Sequence, residues 1–263
     1  MKRRMRTLAV VAVLLALLIA LLCWPVYRQF QKERKDQELI TAIKAVNEGQ
    51  VMELLQEGAN TNAHDSRESP SFGQVLRQFL DRLRHPGTQR KPPRGRSALC
   101  LSLQMLDPGD IRYDEHYERI ALALLDHGAN PNDAIPLGRT DSLSALAFTS
   151  GLGKHALVKK ILEKGADPNI HHGLLLLKWA DAESSRLMIA HGADVNTVDQ
   201  FGETALMGAV VTDDIEMVRF LLQHGAKVDV KNRQGITAMT MPIRGSSPNR
   251  TKILALLRQY GAK

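Results

Sequence analysis

DQFGETALMGAVVTDDIEMVRFLLQHGAKVD, residues 199–229, predicts two short helices joined by a turn. Apolar residues recur at helical spacing over 204–211, and the Thr204 hydroxyl can cap the first turn of that helix. The second helix begins at Ile215, carries one apolar stripe and ends at Gly225, where glycine adopts the left-handed conformation at little steric cost. Helices of about two turns are marginal alone. Each needs a neighbour for its apolar face, which predicts further copies of the unit.

Copies of this unit recur through most of the chain. The shared pattern is two apolar residues followed, after two or three positions, by Gly-Ala. Its glycines are Gly58, Gly128, Gly165, Gly192, Gly225 and Gly261. The steps between them are 70, 37, 27, 33 and 36 residues, so the first step spans about two periods. A first-helix signature of Ser or Thr, then Ala and an apolar residue, begins at Ser97, Ser144, Thr204 and Thr237.

This pattern resembles the ankyrin repeat, a unit of about 33 residues with a turn and two helices. The half that reads Leu-Leu-x-x-Gly-Ala-Asp-x-Asn is well kept, whereas Thr-Pro-Leu-His is reduced to forms such as Thr204-Ala205-Leu206-Met207. The resemblance covers about residues 38–263. It implies an all-α solenoid of about six helix pairs with turns projecting to one side, and a role in protein binding. It names no partner.

The resemblance also implies where a partner binds, because this family usually uses its turn tips and the row of first helices. The tip residues expected to contact a partner are His171, His172, Gln200, Phe201, Arg233 and Gln234. Phe201 is the most informative of these, since it is an aromatic residue with no evident core position. Aromatic residues and arginine are favoured in binding hot spots.

The N-terminal run Leu8–Trp24, LAVVAVLLALLIALLCW, contains no charged side chain. With the next three residues it reaches 20, about the length of a helix that spans a bilayer core. Trp24 and Tyr27 at its end suit the membrane interface. A cleaved signal peptide is the alternative, because basic residues precede the run. The run is long for a signal peptide and no Ala-x-Ala site follows it, which favours an uncleaved anchor.

The orientation of this anchor is nearly balanced by charge. Four Lys or Arg residues precede the run and four follow it closely. We favour a cytoplasmic tail and repeats in the periplasm of a bacterial inner membrane, with the opposite orientation left open. The predicted organisation is a tail and single transmembrane anchor at 1–27, a juxtamembrane helical link at 28–37, and an ankyrin-repeat domain at 38–263 with a basic insertion at 66–96.

The net charge of +7 is concentrated in two segments. Residues 1–36 and residues 66–96 each carry eight Lys or Arg and two acids, so the rest of the chain is mildly acidic. Within the insertion, Ser71–His85 is predicted as an amphipathic helix that opens with a capping box of Ser71 and Gln74. A loop near Asp107–His116 is predicted to separate the helices of the second repeat.

The insertion admits two interpretations. In the first, its helix caps the repeats and its cations are solvated. In the second, its cations contact anionic lipid headgroups. The residues expected in that contact are Arg77, Arg82, Arg84, Arg90, Lys91, Arg94 and Arg96. Nucleic-acid binding is not expected, because a membrane-tethered patch with so few aromatic residues lacks stacking platforms.

Catalytic, cofactor and metal motifs are not found in the sequence. Gly151-Leu152-Gly153-Lys154 matches a weak dinucleotide fingerprint, but that motif requires a preceding strand and here it follows a predicted helix. Three histidines that precede repeat glycines share one position near a helix C-terminus and are interpreted as structural: His127, His191 and His224. We therefore expect a non-enzymatic, membrane-anchored scaffold without cofactors. The alternative is a regulatory or chaperone subunit of a membrane-associated or periplasmic enzyme.

Overall fold

The computed structural model describes residues 24–65, 71, 73–77, 96–106, 111–136, 142–169, 181–199, 201–242 and 248–262. The chain divides into unit 1, Met1–Ser102 with Glu115–Ala129, and unit 2, Leu103–Asp114 with Asn130–Lys263. The described parts of both units are mostly helical. The all-α prediction is wrong at one place, an antiparallel hairpin in which β1 (Ala134–Pro136) pairs with β2 (Ser142–Ser144).

The described part of unit 1 begins with a continuous helix, α1, over residues 24–44. Its second half supplies core side chains, since Leu39, Ile40 and Ile43 are buried. The segment predicted as a helical link, 28–37, lies within α1. The spacing of four residues predicts two ion pairs that would support this helix, Lys32 with Asp36 and Arg34 with Glu38. The second pair forms, at 3.3 Å. The Asp36 carboxylate accepts a hydrogen bond from the Asn60 backbone N–H at 3.0 Å.

The turn after α1 contains a strained residue. Val46 has a φ of 55°, in the left-handed region that β-branched residues avoid. Asn47 then caps α2 (Glu48–Gln56) by accepting a hydrogen bond from the Gln50 N–H at 3.2 Å. The corresponding turns of unit 2 place Gly153 (φ 67°) and Asp213 (φ 58°) in the same conformation. Glycine and aspartate adopt it at lower cost than valine.

The described part of the insertion is the start of a helix, α3, seen over 73–77. Ser71 and Gln74 form the predicted capping box: the Ser71 N–H donates to Gln74 Oε1 at 2.7 Å, and the Gln74 N–H donates to Ser71 Oγ at 3.3 Å. Val75 is buried, as its place on the predicted apolar face requires. The rest of the predicted helix, to His85, lies outside the described residues.

Two further helices, α4 (Ala98–Gln104) and α5 (Ile111–Asp126), cross the boundary between the units. The Ser97 hydroxyl accepts a hydrogen bond from the Cys100 N–H at 3.1 Å, so it caps α4 as its signature predicts. The predicted loop Asp107–His116 is wrong from Ile111 onward, because helix α5 already begins there. Its 16 residues contain no glycine or proline, and an apolar stripe that includes Ile120 and Leu124 is buried.

Unit 2 contains six complete helices among the described residues. They are α6 (Ala145–Gly151), α7 (His155–Glu163), α8 (Ala182–Ala190), α9 (Ala205–Val211), α10 (Ile215–Gln223) and α11 (Arg250–Gln259). Helix α7 packs against α6 and α8, and α10 packs against α9 and α11. The predicted cap at Thr204 is confirmed, since its hydroxyl accepts from the Met207 N–H at 3.3 Å. Ser144, at the same place in its signature, accepts from the Ala147 N–H at 3.2 Å.

The signature at Thr237 does not open a helix within the described residues. Residues 238–240 form a turn, in which the Thr240 N–H donates to the Thr237 carbonyl at 3.1 Å. Pro242 explains the difference, because it disfavours helical backbone at the preceding residue and has no N–H to bond the carbonyl four residues earlier. The first helix predicted to begin at Leu174 lies outside the described residues.

Among the described helices, none combines the length and the apolar composition that crossing a membrane requires. Of the predicted span Leu8–Trp24, only Trp24 belongs to the described part of the chain.

Candidate binding surface

Two turns of unit 2 share one hydrogen-bond design. In the first, tip A (residues 199–203), Asp199 Oδ1 accepts from the N–H groups of Phe201 at 2.8 Å and Glu203 at 2.9 Å. In the second, tip B (residues 232–236), Asn232 Oδ1 accepts from the N–H groups of Gln234 at 3.0 Å and Ile236 at 2.9 Å. An acceptor side chain at the first position therefore fixes the backbone of each tip.

The two tips contact each other directly. The Arg233 N–H of tip B donates to the Phe201 carbonyl of tip A at 2.9 Å. Gly202 has a φ of 78°, and a Cβ placed on it would lie 3.1 Å from the Arg233 backbone nitrogen and 3.2 Å from Asn232 Cα. A side chain at position 202 would therefore push the tips apart. Tip A and tip B form one continuous surface because this position is glycine.

This surface exposes apolar side chains. Phe201 is 58% exposed and Val198, next to tip A, is 48% exposed. Only six large hydrophobic side chains are exposed in the described part of the chain, so two of them at one turn form a local concentration. Arg233 and Gln234 of tip B are also exposed. An aromatic ring, an aliphatic side chain and a guanidinium on a fixed backbone suit the anchoring of a partner.

Three of the residues predicted to contact a partner, Phe201, Arg233 and Gln234, lie on these two tips. Gln200, His171 and His172 lie outside the described residues. Sequence reasoning missed Val198. A signal for it exists at the equivalent position, six residues after the repeat glycine. That position holds polar side chains in three other copies, His64, His171 and Lys231, and the small Ala134 in a fourth.

The residues predicted to contact an anionic surface lie in the insertion, of which only part is described. Arg77, the last described residue of α3, and Arg96, the last residue of the insertion, are both exposed. Arg82, Arg84, Arg90, Lys91 and Arg94 lie outside the described residues. A lipid contact by this segment stays a prediction.

Asparagine side chains tie successive repeat turns together. Asn169 Nδ2 donates to the Gly192 carbonyl at 3.1 Å, and its Oδ1 accepts from the Asp194 N–H at 2.9 Å. Asn196 makes the same two bonds to Gly225 and Lys227, at 3.1 and 2.8 Å. In unit 1, Asn62 Nδ2 donates to the Gly128 carbonyl at 3.4 Å. These side chains hold each turn at a fixed distance from the next, which keeps the tips in register.

Asp36 occupies the equivalent place at the first turn of unit 1. Its Oδ1 accepts from the Asn60 N–H, two residues after Gly58, as the asparagines do at their own turns. A carboxylate, however, has no donor for the glycine carbonyl. Burial raises the pKa of Asp36 above 3.8, although the Asn60 hydrogen bond and nearby Lys32 oppose the shift.

Replacing Asp36 by asparagine is expected to stabilise the protein by about 1 kcal/mol at pH 7, because asparagine keeps the acceptor and adds a donor for the Gly58 carbonyl. The folded state binds the Asp36 proton more tightly than the unfolded state does, so wild-type stability falls as the pH rises through the folded-state pKa. The stability gained by Asp36→Asn over the wild type should therefore be full at neutral pH and shrink as the pH falls towards 3.8. Urea titrations at several pH values measure it.

Asp65→Asn provides the control for that measurement. Asp65 is paired with Lys44 at 2.7 Å, so its replacement removes an ion pair and should give no gain at pH 7. Equal stability of wild type and Asp36→Asn at pH 7 would contradict the proposed role of Asp36.

One polar cluster has the residue types of a catalytic triad but a different arrangement. Asp181 caps α8 and accepts from the Ser184 N–H at 2.9 Å, the Ser184 hydroxyl at 3.1 Å and His155 Nε2 at 3.0 Å. Burial opposes its ionisation, but the bonds from Ser184 and His155 outweigh that effect and keep the pKa of Asp181 below its usual value. The serine donates to the carboxylate rather than to the histidine, so the arrangement does not activate a nucleophile.

Other residues noted in the sequence have structural contacts. His191 and His224 cap helices α8 and α10, and each Nδ1 lies 2.8 Å from a backbone carbonyl of the preceding turn. Gly153 lies in the turn between α6 and α7, which does not follow a strand. Within the described ranges, no three His, Cys, Asp or Glu side chains are grouped so that they could hold a metal ion.

Comparison of the chain with known protein families and solved structures supports the repeat pattern. Residues 177–263 match the family described as ankyrin repeats (3 copies). No curated protein sequence matches the chain. A similar solved structure is the crystal structure of EF0377, an ankyrin repeat protein, with a TM-score of 0.58 and 20% identity, covering 85% of this chain and 98% of that one. At this identity the likeness concerns the fold alone. The predicted resemblance is thus confirmed over residues 177–263, which match ankyrin repeats.

Proposed function

We propose that the chain is a protein-binding scaffold whose partner docks on tip A and tip B. The observation that carries the proposal is Phe201, an aromatic ring that is 58% exposed on a turn with a fixed backbone. Burying such a ring against a partner gains apolar contact area. Little conformational entropy is lost on binding, because the turn is already ordered by hydrogen bonds. Ankyrin repeats support a binding role in general, and the tips supply a particular surface.

A photo-crosslinking amino acid at Gln234, on tip B, tests this proposal in cells. The control is the same amino acid at Gln223, which is exposed at the end of α10 but lies outside both tips. We expect one protein to be captured from position 234 and not from position 223, and to bind the purified chain directly. Capture from both positions alike, or from 223 alone, would contradict the assignment of the surface. An enzyme captured in equimolar amount would favour the regulatory-subunit alternative.

The proposal includes a membrane anchor at Leu8–Trp24, with the repeats on the periplasmic side of a bacterial inner membrane. The uncharged composition of that run supports it. So do the rings of Trp24 and Tyr27, which are 64% and 48% exposed and lie 6.1 Å apart at the described start of α1. Quenching of Trp24 fluorescence by lipids that carry bromine on their acyl chains tests the anchor, with Trp179→Phe removing the second tryptophan.

A further inference from the structure

One face of α1 carries an aromatic ring and then cations at helical spacing. Trp24, Arg28 and Lys32 follow one another every four residues, and all three are exposed. Lys35 continues the same face. Together they line a groove between α1 and the turn at Glu57 and Gly58 in unit 1. Residues at this spacing lie one above another on a helix, so the groove presents a line of positive side chains.

Ion pairs within unit 1 neutralise part of this charge but not all of it. Lys35 Nζ lies 3.0 Å from Glu57 Oε2, and Arg34, also at the groove, pairs with Glu38. Arg28 and Lys32 form no ion pair within the described part of the chain. The remaining acid of the groove, Asp36, is half-buried and accepts the Asn60 N–H. The end of the groove nearest Trp24 therefore has two cations without an ion pair, of which Lys32 also stabilises the Asp36 carboxylate through its charge.

We propose that Arg28 and Lys32 bind the phosphate of an anionic lipid headgroup. This inference rests on the membrane anchor proposed above. At a rise of about 1.5 Å per residue, Arg28 lies roughly 6 Å along the helix from Trp24, and Lys32 roughly 12 Å. A tryptophan at the interface then sets Arg28 within the headgroup layer, which extends about 5–8 Å beyond the hydrocarbon on each side. Lys32 lies roughly 4–7 Å beyond that layer, still within a Debye length of about 8 Å.

The chemistry of the two side chains favours a lipid phosphate over a phosphate ion from solution. A guanidinium can bind two phosphate oxygens at once, and an ammonium adds a point charge. Both cations are exposed, so an isolated ion would gain little over its contacts with water. A membrane differs because it holds many phosphates at the same level as these side chains, and its surface potential attracts cations.

Relative quenching of Trp24 by two brominated lipids tests the proposal on the full chain carrying Trp179→Phe. The protein is reconstituted in vesicles of phosphatidylcholine and phosphatidylglycerol, with bromine on the acyl chains of one lipid or the other. We expect quenching to show a preference for phosphatidylglycerol, and Arg28→Gln with Lys32→Gln to reduce that preference by about fivefold per cation. The matched control, Lys44→Gln with Arg119→Gln, removes the same charge from ion-paired residues outside the groove and should retain the preference.

The possible outcomes separate this inference from the anchor. Quenching by neither lipid would overturn the anchor, and the headgroup site with it. Equal quenching by both lipids, or an unchanged preference in the Arg28 and Lys32 variant, would leave the anchor standing and overturn the site. Loss of the preference in the presence of millimolar inorganic phosphate would indicate a site for free phosphate and would overturn the lipid assignment.

Discussion

Phe201→Ala is expected to weaken partner binding by at least about 30-fold, since an anchoring aromatic residue contributes roughly 2 kcal/mol or more. The melting temperature should hardly change. The ring is 58% exposed, so its removal takes away few contacts within the chain, and such surface changes usually alter stability by less than about 0.5 kcal/mol. Binding of the purified partner, once captured through position 234, and thermal unfolding of the free chain measure the two effects.

Tyr260→Ala provides the matched control. Tyr260 is another exposed aromatic residue, at 42%, but it follows α11 and lies away from both tips in the sequence. Its removal should leave binding unchanged. Val198→Ala should fall between the two, because Val198 is smaller and flanks tip A. A marked loss of stability in Phe201→Ala would identify the ring as part of the core and would remove the proposed binding surface.

Local physical chemistry explains why much of the fold could be predicted from the sequence. Caps depend on residues three apart, so Ser71 with Gln74, Ser144 and Thr204 could each be identified from a few neighbouring letters. The repeat glycines that follow helices have positive φ, as at Gly225 with 87°. Each of these features is fixed within one turn of chain, and no knowledge of packing is needed to find it.

The predictions of a helix at Thr237 and of a loop at Asp107–His116 were wrong because a second local sequence signal outweighed the first. The Thr237 signature resembles Thr204, but Pro242 prevents the helix from continuing. The loop predicted at Asp107–His116 overlapped the amphipathic pattern of α5, which extends that helix to 16 residues, against nine in α2.

The candidate surface could be predicted only in part, for a related reason. The turn signals at Asp199 and Asn232 place Phe201 and Arg233 on tips, so these residues could be proposed from the sequence. The hydrogen bond between Arg233 and Phe201 could not, because it joins residues 32 positions apart. Its formation depends on how neighbouring repeats pack, and no spacing within one repeat specifies that.

Gly202→Ala tests this contact, and Gly235→Ala is its matched control. The two glycines occupy equivalent positions in tip A and tip B, with φ values of 78° and 77°. Alanine at either position pays for a left-handed backbone, about 1–2 kcal/mol. Only at position 202 does the new Cβ also meet backbone, 3.1 Å from the Arg233 nitrogen, whereas nothing lies within 4 Å at position 235.

We therefore expect Gly202→Ala to lower the free energy of unfolding by about 2–5 kcal/mol, because overpacking adds roughly 1–3 kcal/mol to the backbone strain. Gly235→Ala should lower it by only about 1–2 kcal/mol. Urea unfolding of both variants measures the difference. Gly202→Ala should also weaken partner binding, since separating the tips moves Phe201 away from Arg233, while Gly235→Ala leaves their contact in place. Equal destabilisation by the two substitutions would mean that the tips are not packed against each other.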